Sequence, residues 1–395
     1  MTITQINEPD KKVTSQFALF ALGFRPFFLL AGFSAIFLLG LWVIAFSQGW
    51  QIPTHIPAVY WHSHEMIFGY SAVVIAGFLL TAVRNWTGVS TLSGKSLMAL
   101  SLLWLVARIL PFTATDLIIV SIIDTSFLFF LALAIAYPII KVKQWKNLFF
   151  VPLLLLYAVA NGLFYAEFIL GLEGAEEWAI HGGLGVVITL ITIMAGRVVG
   201  FFIERGISTK ITTYRSAEFM ALTGTILFMA GQFFLPTTLL TILAMIAALG
   251  HLGRLHGWYN AEIWQVPLLW VLYLGYIWLL IGFVLTALEI NNVIAETLAI
   301  HAFTTGTIGI MTLGMMARVS LGHTGRPMQT STVMTGCFIL INLSVIVRVV
   351  LPLLLPDMYI NWVQIAGLLW VVAFTIFVLV YTPILVKSRI DGMPG

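Results

Sequence analysis

The chain has 395 residues, of which 60% are hydrophobic and only 9% charged, with a mean hydropathy of +1.03. A soluble globular domain carries about 25% charged residues, so this composition excludes one and points to an integral membrane protein. A net charge of +3 gives no footing for nucleic acid, and the single Cys337 excludes an intramolecular disulfide framework and any CxxC metal site.

Residues 1–16 form a polar tail. The apolar run behind it is too long for a cleaved signal peptide. A spanning helix needs about 20 apolar residues. Twelve segments qualify, near 17–47, 60–83, 95–112, 117–140, 148–167, 178–203, 217–235, 237–256, 265–288, 296–320, 331–354 and 361–386. The third is short, and only "FFLPTT" separates the seventh from the eighth. The breaks between the others are rich in Gly, Pro, Asn, Ser and Thr, as in "NWTGVSTLSGK" and "LGHTGRP".

The basic residues alternate with the links. Lys11 and Lys12 precede the first segment. Arg84 with Lys95, then Lys141, Lys143 and Lys146, then Arg205, Lys210 and Arg215, then Arg254, then Arg326, and finally Lys387 and Arg389 mark every second link. The intervening links, such as "EFILGLEGAEEW", are acidic or neutral. This pattern predicts a multi-pass protein of the bilayer with an even number of spans and both termini in the cytoplasm.

The chain also resembles itself. "HEMIFGYSAVVIAGFLLTAVRNWTG" from His64 aligns without a gap on "HAFTTGTIGIMTLGMMARVSLGHTG" from His301, pairing Gly69 with Gly306, Gly77 with Gly314 and Gly88 with Gly325. A looser copy starts at His181, and the three starts lie 117 and 120 residues apart. Four spans fit each interval, so the expectation is an all-α transmembrane domain of three four-helix units, approximately 17–140, 148–256 and 265–386.

The lead histidines fall on the second, sixth and tenth spans, all of which run inward. His62, His64, His181 and His301 therefore share one depth near the outer surface. Imidazole tolerates partial burial and is the commonest neutral ligand of copper, iron and zinc. His62 and His64 stand about 200° apart on a helix and so face different partners. Glu65 shares the His62 side at this spacing. His251 and His256 sit beside Arg254 at an inner helix end, where a solvated or headgroup role is the ordinary one.

Arg108 and Arg348 follow their units' lead histidines by 44 and 47 residues and lie near the outer face. If that face holds a haem, they are candidate partners for its propionates; snorkelling, or pairing with Asp116 and Asp357, is the alternative. Arg25, before Pro26, is expected inside the first helix and facing the bundle. Asp124 is the one acid expected deep in a span. Gly182, Gly183, Gly185, Gly306 and Gly309 permit close approach of another helix or of a flat ligand.

Several blocks together resemble the NnrS family: "LGFRPFFLLAG", "WHSHEMIFGYSAVVIAGFLLTAVRNWTG", "GRVVGFFIERG", "HLGRLHGW" with "PLLWVLYLGYIWL", and "GIMTLGMMARVSLGHTGRP". Gly200 stands where the family's usual "GRVIPFF" has a proline. The resemblance implies a bacterial inner-membrane protein with haem, of b type, and copper, linked to the response to nitric oxide and served by an electron donor the sequence does not name. Three units of four helices, with histidines on the second and tenth, also look like the catalytic subunit of haem–copper oxidases. That likeness makes His64 and His301, or His62 in place of His64, haem ligands, with copper on His62 and His181. The seventh span lacks a histidine, so an oxidase-type three-histidine copper centre, and with it oxygen reduction, is not expected. A transporter of a metal or small anion, built around Arg25, and a non-catalytic haem sensor are the rival readings.

Overall fold

The computed structural model describes residues 17–393. The polar segment 1–16 lies outside them. The fold is all-helical among the described residues, apart from one isolated bridge between Phe17 and Lys387. Twelve helical runs follow one another: α1 Phe24–Gln48, α2 Ala58–Thr87, α3 Gly94–Phe112, α4 Leu117–Lys141, α5 Trp145–Leu170, α6 Ala175–Gly206, α7 Arg215–Gly231, α8 Thr237–Trp258, α9 Pro267–Ile290, α10 Glu296–His323, α11 Thr332–Leu354 and α12 Pro356–Val386. Eleven are long and apolar enough to cross a membrane; α7, at 17 residues, is shorter. The protein is therefore a polytopic membrane protein. Spanning segments must be helical because the bilayer core offers backbone amides no water.

The helix ends follow local chemistry. α1 begins at Phe24 rather than near residue 17, because the chain before it turns to meet the end of α12, with the Ala18 amide donating to Val386 O (2.8 Å). Pro26 falls in the first turn, where its missing amide hydrogen costs nothing. Gly49, Gly88 and Gly171 close α1, α2 and α5 in the left-handed conformation that glycine adopts freely. Pro236 precedes α8 and separates it from α7, so the weakest of the predicted breaks is a real one.

Neighbours in sequence pack as neighbours in space, and α1 closes the bundle against α12. The interior belongs mainly to α2, α9, α10 and α6. In α2, 78% of the most apolar window is buried, and in α10 67%, against 39% in α1, α3 and α4. Residues Glu65–Ser71 of α2 and Ala302–Gly309 of α10 are wound as π-helix, immediately after His64 and His301. The two π segments occupy matching positions of the sequence repeat. Ile346–Val350 of α11 is a third, and Arg348 lies in it. Such wide turns are rare and cluster at functional sites.

The glycines of the repeat serve packing. A Cβ on Gly183 would meet the Phe68 ring at 2.6 Å, one on Gly306 Trp278 at 2.8 Å, and one on Gly309 Trp370 at 2.3 Å. Protein side chains, not a flat ligand, fill these notches.

A histidine cavity beside a buried charge cluster

One cavity gathers His62, His301 and Arg348. Its enclosed volume is about 130 Å3. Met66, Thr304 and Arg348 bring the three π segments to its wall. The wider turns re-aim side chains that a regular helix would point elsewhere.

The two imidazoles and the guanidinium of this cavity are each held by one neighbour. The His62 ring lies flat on Trp42 of α1, with centroids 4.6 Å apart and planes 7° from parallel. Its Nδ1 is buried and has no hydrogen-bond partner. His301 Nδ1 lies 2.7 Å from Thr297 O, one turn back. A carbonyl only accepts, so Nδ1 carries the hydrogen and Nε2 keeps its lone pair. Arg348 Nη2 donates to the Tyr359 hydroxyl (3.1 Å), while its buried Nη1 has no partner. An unmatched imidazole nitrogen and an unmatched guanidinium nitrogen in one cavity are costly unless a ligand meets them.

His64 does not face this cavity, because it turns to the far side of α2, as the 200° separation requires. Its Nε2 lies 2.8 Å from Asn161 Oδ1 and 3.2 Å from Asp124 Oδ2, and its Nδ1 lies 3.3 Å from Glu65 Oε1. Every neighbour is an acceptor, so both ring nitrogens donate and neither is left for a metal. Glu65 also departs from expectation. It turns to the His64 side, where the π segment begins, and accepts from Arg108 Nη1 (2.8 Å).

Arg108 likewise does not reach the cavity. Its Nη2 is paired with Asp124, while Tyr165 donates to Asp124 Oδ2 (2.9 Å) and Asn161 Nδ2 to the same oxygen (3.2 Å). Two carboxylates meet one guanidinium and one doubly donating imidazole, so the charges cancel. All four groups are almost fully buried. Buried opposite charges matched in this way are tolerable, whereas a broken set is expensive; Arg108 Nε is the one donor of its guanidinium that is buried without a partner. The deep acid Asp124 was legible in the sequence; its partners Asn161 and Tyr165 were not singled out, although Asn161 is a lone amide inside an apolar span.

His181 lines a different cavity, near Glu177, Gln232 and Glu289, and its Nε2 lies 3.2 Å from Glu296 Oε1. The structure therefore does not bring His181 together with His62. Arg25 sits at the opposite membrane face from His62. It is the second residue of α1, and its Nη1 donates to Leu385 O (2.9 Å) and Lys387 O (2.6 Å). It is buried, but it caps the carbonyl end of α12 instead of binding a cofactor beside His301.

His251 is buried rather than solvated. Its Nδ1 lies 2.7 Å from the Tyr276 hydroxyl and its Nε2 3.0 Å from Thr225 Oγ1. Arg254 donates to Tyr276 (3.0 Å), to Thr192 O (2.8 Å) and, through Nε and Nη2, to both oxygens of Glu218 (3.0 and 2.7 Å). Sequence reasoning missed this network. Its signal was the glutamate opening α7 opposite an arginine closing α8.

Among the described residues, no three His, Cys, Asp or Glu side chains form a group that could hold a metal ion by themselves. The histidine cavity offers two imidazoles, His62 and His301, and one guanidinium, Arg348. Comparison with curated proteins returned no match. Residues 18–389 match the family model described as NnrS protein, nearly the whole chain, and the chain belongs to the NnrS family.

Proposed function

We propose that this NnrS protein binds a b-type haem in the cavity of His62, His301 and Arg348 and acts in the response to nitric oxide, in the inner membrane of a bacterium. The carrying observation is the set of unmatched groups: buried His62 Nδ1 and Arg348 Nη1 without partners, and His301 held by Thr297 O with Nε2 spare. His62 and His301 would hold the iron. The Thr297 carbonyl orients the His301 ring and raises its basicity, as outer partners of metal-bound histidines do. Trp42 keeps the His62 ring in one plane. Arg348 would receive a propionate, a task suited to its fork of donors. A haem so bound would supply one-electron chemistry, at a potential tuned by burial. Electrons would come from a separate donor, and both chain termini would face the cytoplasm.

Copper on His62 and His181 does not fit, because the two rings line separate cavities and His181 is engaged by Glu296. The transporter reading loses its main support, since Arg25 is engaged with backbone carbonyls at the end of α12.

Absorption spectroscopy of purified protein tests the assignment. A Soret band should be present, vanish in His62→Ala/His301→Ala, and persist in His64→Gln. Retention by the double variant, or loss in His64→Gln alone with the fold intact, would falsify the ligand assignment. Colourless protein that drives ion uptake in vesicles would favour transport.

A further inference from the structure

A second chamber lies deeper in the bundle, between α2, α6 and α10, with Phe28 of α1 at its side. Its enclosed volume is about 90 Å3. Its wall is made of side chains such as Val74, Phe78, Leu190, Met194, Met311 and Met315. Only two hydroxyls touch it, those of Ser71 and Thr312. Both have spent their hydrogens: Ser71 Oγ donates to Met66 O (2.9 Å) and Thr312 Oγ1 to Ile308 O (2.6 Å). Thr312 Oγ1 also lies 2.6 Å from the Tyr70 hydroxyl, which therefore donates to it.

A buried water needs about 2–4 polar partners, whereas apolar cavities stay dry and take up xenon or benzene. This chamber offers no free donor and almost no acceptor, so water has no hold in it. Small apolar solutes gain by moving from water into such a space.

The chamber also adjoins the histidine cavity. Ser71 and Ile308 belong to the walls of both. They are equivalent positions of the sequence repeat, 237 residues apart, and each lies in a π segment. One small and one branched side chain, contributed by matching turns of α2 and α10, thus border both spaces.

We infer that this chamber binds a small apolar molecule of the diatomic-gas class and passes it between Ser71 and Ile308 into the histidine cavity. A ligand on this path comes from the lipid side and never crosses the polar face. The destination rests on the haem reading; occupancy of the chamber does not.

Xenon tests occupancy on the full chain in nanodiscs, by 129Xe NMR and by diffraction under xenon pressure. Xenon should bind between Ser71 and Met194. Ala195→Leu, which fills the chamber from α6, should weaken that binding at least tenfold. Ile75→Phe, which fills it from the partly exposed side of α2, should do the same and guards against misfolding of the first variant. In haem-loaded His62→Gly protein, in which one position on the iron is freed, both variants should slow carbon monoxide recombination after flash photolysis; in the His62 background both should leave the Soret band in place. Ordered water or a lipid acyl chain in the chamber, or xenon binding unchanged by both variants, would overturn the inference. Xenon bound without any Soret band would sink the haem reading and leave the chamber standing; a Soret band without xenon binding would do the reverse.

Discussion

Arg108 and Arg348 are both buried arginines, yet they meet opposite surroundings. Arg108 lies between two carboxylates, Glu65 and Asp124, and Tyr165 and Asn161 also donate to Asp124. Arg348 has one phenol and an unmatched Nη1. Removing one partner of a buried ion pair costs about 3–5 kcal/mol, because the charge left behind stays buried. Arg108→Leu should therefore lower thermal stability sharply, measured by unfolding in nanodiscs. Arg348→Leu removes a cation that no side chain balances, and cofactor-free protein should keep or gain stability. Equal losses in the two variants would contradict the assignment of Arg108 to structure and Arg348 to ligand binding. The spacing of these arginines from the lead histidines was legible in the sequence. Their different partners were not, since the carboxylates that claim Arg108 come from α2 and α4.

At the scale of helices, the closest approach is between α7 and α8. A Cβ added to Gly250 would stand 2.1 Å from the Ala221 amide nitrogen, and one on Gly224 2.7 Å from that of Ala247. Small residues let backbones touch and gain dispersion contacts that lipid cannot match. The contact also carries the short helix α7 and places Glu218 against Arg254 (2.7 Å). Gly250→Leu should abolish or severely reduce folded, monodisperse protein in fluorescence-detected gel filtration. Gly336→Ala in α11 is the control, because nothing lies within 4 Å of its added Cβ. Comparable behaviour of the two variants would show that the α7–α8 contact does not limit folding. The π segments belong to this scale too. No residue pattern announces them, because they arise where packing between helices favours a wider turn.

For the whole molecule, alternating basic and non-basic links divide the surface into two faces. Cys337 is buried, so introduced cysteines report with little background. A membrane-impermeant maleimide should label Glu173→Cys in spheroplasts and Lys210→Cys only in inverted vesicles. Labelling of both from one side would break the alternation. Arg25 contributes at this scale as well, by tying α1 to the last turn of α12 and closing the bundle between its two ends.

Composition, hydropathy and charge alternation were enough to determine a polytopic helical protein and the positions of most of its helices within a few residues, the starts of α1 and α12 being the largest departures. The bilayer allows an apolar chain of this length few other folds. The repeat marked α2 and α10 as related before any coordinates, and both carry their π turns at the same place. The assignment of each polar side chain was decided by tertiary structure. His62 and His64 are two residues apart, and nothing local says that one ring meets Trp42 and an open cavity while the other meets three acceptors. Partners contributed by α1, α4 and α5 make that choice, through contacts between residues distant in sequence.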